Sequence, residues 1–115
     1  MFKIKYYQNL NGREIIKEFI DTLDLKMRAK AFWEIGLLEN NGRNLKAPYC
    51  KHLKDGIWEL RIEFAGNISR IFYFFYDGND IILTNGFIKK TQKTPKEEIE
   101  KALKYKKDYE ERNKK

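Results

Sequence analysis

Long apolar runs are missing from this 115-residue sequence. No stretch approaches the roughly 18 apolar residues that make up a transmembrane helix. The start, Met1-Phe-Lys-Ile-Lys-Tyr-Tyr7, lacks the long apolar region of a secretory signal peptide. We therefore expect a cytoplasmic protein that has no membrane partner.

Cysteine and histidine are each present only once. Cys50 cannot form an internal disulfide, which agrees with a reducing compartment, and we interpret it as a packing residue. His52 is the only side chain whose ordinary pKa lies near neutrality. A single histidine in a loop is more often an incidental polar residue than a catalytic one, so His52 is only one candidate for proton transfer.

Negative charge is scarce in one part of the chain. The formal net charge is +7, and residues 89–115 hold 11 Lys or Arg against 6 Asp or Glu, whereas residues 11–43 hold 6 of each. A local positive surplus attracts polyanions through long-range attraction and counterion release. Nucleic acid is therefore the leading class of partner, and an acidic protein is the second.

Three consecutive strands organise the sequence. The runs 57–64, 69–76 and 81–90 are rich in aromatic and β-branched residues, and the breaks between them contain Gly66 and Gly78. Short glycine-containing breaks are typical of antiparallel neighbours. Residues of the first run alternate between apolar and charged, which predicts one core face and one charged face. The second run is apolar on both faces apart from Ser69 and Arg70, as expected of a central strand.

Helical patterns precede and follow this meander. A short strand is predicted at 3–7, a helix at about 12–23 with Asn11 and Glu14 as a capping box, and a second helix capped by Asp24 that ends near Gly42. Residues 43–56 predict a loop with one short extended piece at most. A last helix is predicted at 95–111, with a capping box in Thr94-Pro-Lys-Glu97.

The whole chain, residues 1–115, is thus predicted to be a single α+β domain of order β-α-α-β-β-β-α. Its sheet is largely antiparallel, and a helical hairpin covers one face. Periodic apolar positions of the hairpin and the central strands form the predicted core: Ile15, Phe19, Ile20, Phe32, Ile35, Trp58, Leu60, Ile62, Phe72 and Phe74.

Three blocks of sequence carry a family resemblance. They are Asp55-Gly-Ile-Trp-Glu-Leu-Arg61, Arg70-Ile-Phe-Tyr-Phe-Phe75 and Gly86-Phe-Ile-Lys-Lys-Thr-Gln-Lys-Thr-Pro95. In these blocks and their spacing, the chain resembles the phage-derived HigB/RelE-like toxins of bacterial toxin–antitoxin systems. The resemblance implies a RelE-like, microbial-ribonuclease-like fold and cleavage of mRNA in the ribosomal A site. It also implies neutralisation by a helix-turn-helix antitoxin, through which alone the toxin would meet DNA.

Arginines suit the chemistry that this resemblance implies. Attack of the RNA 2′-OH on the adjacent phosphate needs a proton acceptor, a proton donor and cations that stabilise the charge on the phosphate oxygens, and it needs no metal or other cofactor. A guanidinium presents paired donors and stays charged. Arg61 and Arg70 are therefore candidates for gripping one phosphodiester, while the alternative is simple pairing with Glu59 or Glu63.

Lysines supply further candidates. Lys89 and Lys90 match the Phe-x-Lys-Lys ending of the family, and strand alternation allows only one of them to face the site. Their alternative role is to keep a strand end soluble. Contacts to the RNA backbone are expected from Lys51, Lys54 and Lys93.

The group that accepts the 2′-OH proton stays open between His52, Glu59 and Glu63. Relatives often have a histidine where this chain has Asn85, an amide that transfers no proton, so the resemblance implies that another group acts here or that the reaction is slower. Aromatic side chains are candidates for stacking on a base, although most aromatics in so small a sheet belong to the core. These candidates are Tyr73, Tyr76 and Phe87.

Two other functions remain compatible with the sequence. The chain could bind RNA or the ribosome through the same basic face without cleaving anything, or it could serve only as an inactive partner that binds an antitoxin. Loss of cleavage with retained ribosome binding after mutation of Arg70 would argue against the first alternative. Growth arrest on expression without a partner would argue against the second.

Overall fold

A five-stranded sheet forms the centre of the computed structural model, which describes residues 2–91 and 93–114. The strands lie side by side in the order β1-β5-β4-β3-β2, and every neighbouring pair is antiparallel except β1 and β5, which are parallel. Their bounds are β1 Lys3–Tyr6, β2 Cys50–Lys54, β3 Ile57–Phe64, β4 Asn67–Tyr76 and β5 Asp80–Ile88.

The predicted meander is confirmed as β3, β4 and β5. Ala65 and Gly66 alone connect β3 to β4, and both have positive φ angles, of 51° and 83°. Positive φ at both central residues is the geometry of the two-residue turn that best follows the twist of an antiparallel pair. The turn therefore fixes the register in which β3 faces β4.

The short extended piece allowed within the predicted loop at 43–56 is a full antiparallel strand, β2, which the predicted element order lacked. Lys51 pairs with Glu59 and His52 with Trp58. Lys51, His52 and Lys54 of this edge strand are exposed, so the strand does not show the apolar alternation that marks a strand in the sequence. The element order is β-α-α-β-β-β-β-α.

Two helices cover one face of the sheet, as predicted: α1 is Ile15–Asp21 and α2 is Leu25–Asn41. Asp24 caps α2, since its carboxylate accepts a hydrogen bond of 2.9 Å from the Met27 backbone N–H. The capping box proposed for α1 is wrong. The Asn9 side chain instead accepts hydrogen bonds from the backbone N–H groups of Asn11 and Arg13, and this turn delays the helix until Ile15.

The core between these helices and the sheet contains most of the predicted residues. Ile20, Ile35, Leu60 and Ile62 are buried, while Ile15, Phe19 and Trp58 are half-buried. Phe32 was predicted to be in the core, and it is 48% exposed. The buried residues of α2 recur every three or four positions and do not include Phe32. They are Met27, Ala31, Glu34, Ile35 and Leu38.

The third helix, α3 (Lys96–Arg112), packs against the other face of the sheet. Phe72 and Phe74 are buried as predicted, on this second face, together with Ala102 of the helix. The Asn85 side-chain amide donates hydrogen bonds to the backbone carbonyl and the carboxylate of Glu98, at 3.1 and 3.2 Å. Asn85 therefore anchors the first turn of α3 to β5.

None of the helices within residues 2–91 and 93–114 is long and apolar enough to cross a membrane.

Candidate functional site

Arg61 and Arg70 lie directly opposite each other on the neighbouring strands β3 and β4. Residues opposite each other in an antiparallel pair share a face, so both side chains lie on the α3 face. The Arg61 side chain is 32% exposed, whereas Arg70 is only 2% exposed. One guanidinium therefore reaches solvent, and the other lies beneath it.

Glu59 lies between the two arginines. One of its carboxylate oxygens is 3.7 Å from Nε of Arg61 and 3.6 Å from Nε of Arg70. These separations are ion pairs and are too long for hydrogen bonds, and neither Nε has a hydrogen-bond partner among the described residues. The carboxylate thus balances the charge of both arginines and leaves their Nε donors unused.

The other oxygen of Glu59 is held by Thr94, whose hydroxyl donates a hydrogen bond of 2.8 Å to it. Thr94 was predicted to cap α3, and that prediction is wrong because Pro95 occupies the N-cap position without a side-chain cap. The sequence contains a capping pattern here, but it carries no sign that the hydroxyl turns towards β3. This is the residue of the site that sequence reasoning missed.

Burial controls the electrostatics of Arg70. It lowers the pKa of the Arg70 guanidinium below its ordinary value, although Glu59 opposes this change. A guanidinium stays charged under such a shift. A second carboxylate, that of Glu63, lies 3.9 Å from Nη2 of Arg70, and its side chain is 65% exposed. Of the carboxylates beside the arginines, Glu63 is the one that a substrate can reach.

Lys89 is the member of the lysine pair that belongs to this cluster. Burial is the main cause that lowers the pKa of the Lys89 amine, and the positive charge of Arg70 is the next. Lys89 is half-buried, while Lys90 is exposed. The backbone N–H of Lys89 donates a hydrogen bond of 2.8 Å to the Ile68 carbonyl, which fixes the chain where it leaves β5. Of this pair, Lys89 is the lysine that the charges of Arg70 and Arg61 affect.

The remaining basic candidates lie at different places. Lys51 is exposed and opposite Glu59, so it shares the arginine face. Lys54 is exposed at the end of β2 and pairs with Ile57 after an irregularity in the strand, and Lys93 is exposed in the loop before α3. The cluster of Lys51, Glu59, Arg61, Glu63, Arg70 and Lys89 is called the arginine site below.

His52 lies on the other side of the sheet. It is opposite Trp58, and the two rings meet edge to face with centroids 5.1 Å apart. Trp58 packs against the core under α1 and α2. The structure therefore separates His52 from the arginine site, while it places Glu59 and Glu63 within it.

The three aromatic candidates for base stacking all make contacts within the fold. Tyr73 is buried on the α2 face, and burial raises the pKa of its phenol. Tyr76 donates a hydrogen bond of 2.8 Å to the carbonyl of Asn113, and Phe87 packs against Phe72. Cys50 is buried, as predicted for a packing residue.

The positive surplus of the C-terminal region does not lie on α3. Residues 96–112, which form α3, contain six Lys or Arg and six Asp or Glu, so the helix itself carries no net charge. The surplus of the C-terminal region comes instead from the residues on either side of the helix, with Lys89, Lys90 and Lys93 before it. Among the described residues, no group of three or more His, Cys, Asp or Glu is placed to hold a metal ion.

Comparisons with known proteins match most of the chain. A family model described as phage derived protein Gp49-like matches residues 18–107. The probable endoribonuclease HigB1 of Mycobacterium tuberculosis strain CDC 1551 / Oshkosh is 34% identical over 96 residues, which are 83% of this chain and 74% of that relative. The protein of the same description from strain ATCC 25618 / H37Rv gives the same values. The family match begins in α1 and ends in α3, so it includes every residue of the arginine site.

Proposed function

We propose an RNA-cleaving function for this chain, which belongs to the phage-derived Gp49-like family. As a HigB-like toxin of a toxin–antitoxin system, it would act as an endoribonuclease, with residues 1–115 forming one toxin domain. Support comes from the relative described as a probable endoribonuclease, at 34% identity. The α+β fold, with its five-stranded and mostly antiparallel sheet, is consistent with the RelE-like toxins.

The observation that carries this proposal is the pairing of Arg61 with Arg70 in one register position of the sheet. Two guanidiniums of like charge are brought together, and Glu59 balances them without occupying their Nε donors. Fixed positive charge beside the reacting phosphate is the arrangement that stabilises a transition state whose charge develops on phosphate oxygens. Arg61, which reaches solvent, would contact the phosphate, and Arg70 would supply positive potential from below.

Proton transfer is assigned by exposure and charge. Glu63, the exposed carboxylate beside Arg70, would take the proton from the 2′-OH. Lys89, whose pKa is lowered by burial and by Arg70, would return a proton to the leaving 5′-oxygen. A lysine whose pKa is lowered towards neutrality transfers protons better near neutral pH than a lysine with the ordinary pKa. Glu59, which is buried and already holds both arginines, would position them rather than exchange protons.

The proposed substrate is mRNA on the ribosome. Lys51 on β2, with Lys90 and Lys93 beside the site, would bind RNA backbone, since these lysines are exposed. The proposed protein partner is a helix-turn-helix antitoxin, through which the toxin would meet DNA only indirectly. Inhibition of translation in the cytoplasm would follow from cleavage of the message.

Cleavage of a defined mRNA by the purified chain tests the function. We expect one product to end in a 2′,3′-cyclic phosphate, because the 2′-OH is the nucleophile, and a single 2′-deoxy substitution at the cleaved position should abolish the reaction. Comparing free and ribosome-bound message tests ribosome dependence. A chain that binds ribosomes but leaves the message intact under both conditions would be a non-catalytic binding module, and the proposal would fail.

A further inference from the structure

A pocket of about 260 Å³ lies between the C-terminal half of α2 and the segment 44–49, which leads into β2. Leu45, which is buried, and Leu37, which is half-buried, form its apolar floor. The other lining residues are exposed, and one of them is Tyr49. This depression with an apolar floor and an open rim is called the Tyr49 pocket below.

A backbone hydrogen bond joins the Tyr49 pocket to the arginine site. The N–H of Arg61 donates this bond to the carbonyl of Tyr49, at 2.8 Å. Tyr49 directly precedes β2, which runs along the side of β3 that faces away from β4. Paired strands lie about 5 Å apart. An RNA strand with one phosphate at Arg61 therefore brings one of its next nucleotides to the pocket.

Tyr49 has the exposure that base stacking requires. Its side chain is 39% exposed, whereas every other tyrosine of the chain is buried or half-buried. Among the described residues, its ring contacts no other ring and its phenol forms no hydrogen bond. Unpaired bases stack on aromatic side chains of this kind beside a basic surface. Tyr49 can thus do what Tyr73 and Tyr76, which contact the fold, cannot.

Two amides at the rim offer hydrogen bonds to the edge of a base. The Nδ2 of Asn41 donates a hydrogen bond of 2.8 Å to the Leu37 carbonyl, so its Oδ1 stays available as an acceptor. The Asn44 side chain is exposed and forms no hydrogen bond with another described residue. An amide presents a donor and an acceptor side by side, which is how it pairs with the edge of a base.

Charge favours a nucleotide over a protein segment as the occupant. Lys46 is exposed and is the one charged residue that lines the pocket within the described chain. Glu34, one turn before Leu37 on α2, is 3% exposed and faces Lys30 at 3.9 Å. A basic segment would therefore find no accessible carboxylate in this lining. An acidic segment would use Lys46 but neither the ring nor the amides, whereas a nucleotide uses all three.

We propose that the Tyr49 pocket binds an unpaired base of the RNA substrate, one or two nucleotides from the cleaved phosphate. The base would stack on Tyr49 above the apolar floor, and a phosphate of the same nucleotide would meet Lys46. The proposal rests on the RNA-cleaving function proposed above. It adds that the substrate is single-stranded beside the cleaved bond, because a base held in a duplex cannot enter the pocket.

Removing the base and the ring, separately and together, tests this assignment. The probe is a single-stranded RNA that contains the mapped cleavage site, bound to the ribosome if cleavage requires it, with an abasic nucleotide at each position within two nucleotides of the cleaved bond. At one position, we expect the missing base to lower kcat/KM of the wild type about fivefold or more. Tyr49→Leu should lower kcat/KM on intact RNA by a similar factor, with no further loss on RNA that is abasic at that position.

Two further variants serve as controls. Tyr49→Phe keeps the ring and should retain the wild-type response to each abasic position. Phe32→Leu replaces another exposed aromatic of 48% exposure, which lies beside Ile4 and Tyr6, and it should cleave every RNA as the wild type does. Circular dichroism and thermal unfolding show whether each variant is folded.

The outcomes separate the pocket from the proposed function. If folded Tyr49→Leu cleaves intact RNA as the wild type does, or loses the same factor on intact RNA and on every abasic RNA, the pocket holds no base and the proposal is overturned. If the wild type binds these RNAs without cleaving them, the proposed function fails instead. The same comparison is then made with the affinities of the same RNAs, and the same two results support or overturn the pocket.

Discussion

The hydroxyl of Thr94 donates a hydrogen bond of 2.8 Å to Glu59, although the two residues are 35 positions apart in the chain. This contact joins the loop that follows β5 to the strand β3. It fixes one oxygen of the carboxylate, and the other oxygen lies within 4 Å of both Arg61 and Arg70. The position of both guanidiniums therefore depends on a threonine that we expect not to touch RNA.

Thr94→Val should slow RNA cleavage about tenfold, because a partly buried hydrogen bond to a charged group is lost and the carboxylate can turn away from the arginines. Thr94→Ser should keep the wild-type rate, since it retains the hydroxyl. The loss should fall on kcat with little change in KM. Thr91→Val is the matched control, because the Thr91 hydroxyl binds the Lys93 carbonyl within the same loop. An unchanged kcat for Thr94→Val would show that Glu59 needs no such support.

Lys51 and His52 are neighbours in the sequence that lie on opposite faces of β2. Lys51→Ala should weaken RNA binding and reduce the slope of log affinity against log salt by about one, as expected for one phosphate contact. His52→Ala should change neither RNA binding nor the rate of cleavage. Filter binding across a salt series, together with cleavage assays, distinguishes the two. If His52→Ala is folded but no longer cleaves RNA, His52 takes part in the reaction and its exclusion from the site is wrong.

Glu34 of α2 is 3% exposed, and burial raises the pKa of its carboxyl to about 7 from an ordinary value of 4.5. Lys30, whose Nζ lies 3.9 Å away, opposes this shift only in part. The folded protein binds this proton more tightly than the unfolded chain, so the contribution of Glu34 to stability is greatest below about pH 4.5 and decreases as the pH rises towards 7.

Glu34→Gln should therefore be more stable than the wild type at pH 8, by an amount on the order of 2 kcal/mol. The difference between the two proteins should shrink as the pH falls from 7 to 4.5. Chemical denaturation at several pH values measures it. A stability difference that does not vary with pH in this window would contradict the assignment.

Two glycines should respond to the same substitution with opposite signs. A Cβ at Gly86 would lie 2.6 Å from the Phe19 ring and 2.9 Å from the Arg70 carbonyl oxygen, so Gly86→Ala should destabilise the fold by about 1–3 kcal/mol. A Cβ at Gly36 would meet nothing, so Gly36→Ala should stabilise it by about 1 kcal/mol. Thermal unfolding compares the two variants directly. A stabilising Gly86→Ala would mean that α1 does not pack closely on β5.

Much of the sheet could be predicted because its residues alternate. The pattern around Leu60 and Ile62 predicted the core face of β3, and the same alternation placed Arg61 on the opposite face. β2 was missed as a full strand, since an edge strand with Lys51 and His52 shows no apolar period. Phe32 was misplaced because helical spacing allows it beside the buried stripe as well as within it.

The candidate site was only partly predictable for a related reason. The alternation of residues along a strand and the short turn of a hairpin are local properties of the sequence. They were enough to predict that Arg61 and Arg70 are neighbours across the hairpin. The hydrogen bond between Thr94 and Glu59 depends on how the loop before α3 crosses the sheet, and no local pattern encodes that path. Likewise, Asn85 shows no periodic signal for its contact with Glu98.

Arg61 is the residue on which the phosphate site can be tested most cleanly. Arg70→Ala would leave the carboxylate of Glu59 buried without one of its cations, and removal of one partner from a buried pair is strongly destabilising. Arg61 is 32% exposed, so its replacement should leave the fold intact. Circular dichroism and thermal unfolding of each variant provide the control.

The decisive measurement is the single-turnover rate of RNA cleavage by Arg61→Ala and Arg61→Lys relative to the wild type. We expect alanine to reduce the rate by on the order of a hundredfold, because it removes a fixed donor from the place where charge develops. Lysine should give an intermediate rate, since it restores the charge but not the planar paired donors. A folded Arg61→Ala that cleaves at the wild-type rate would contradict the proposed phosphate site.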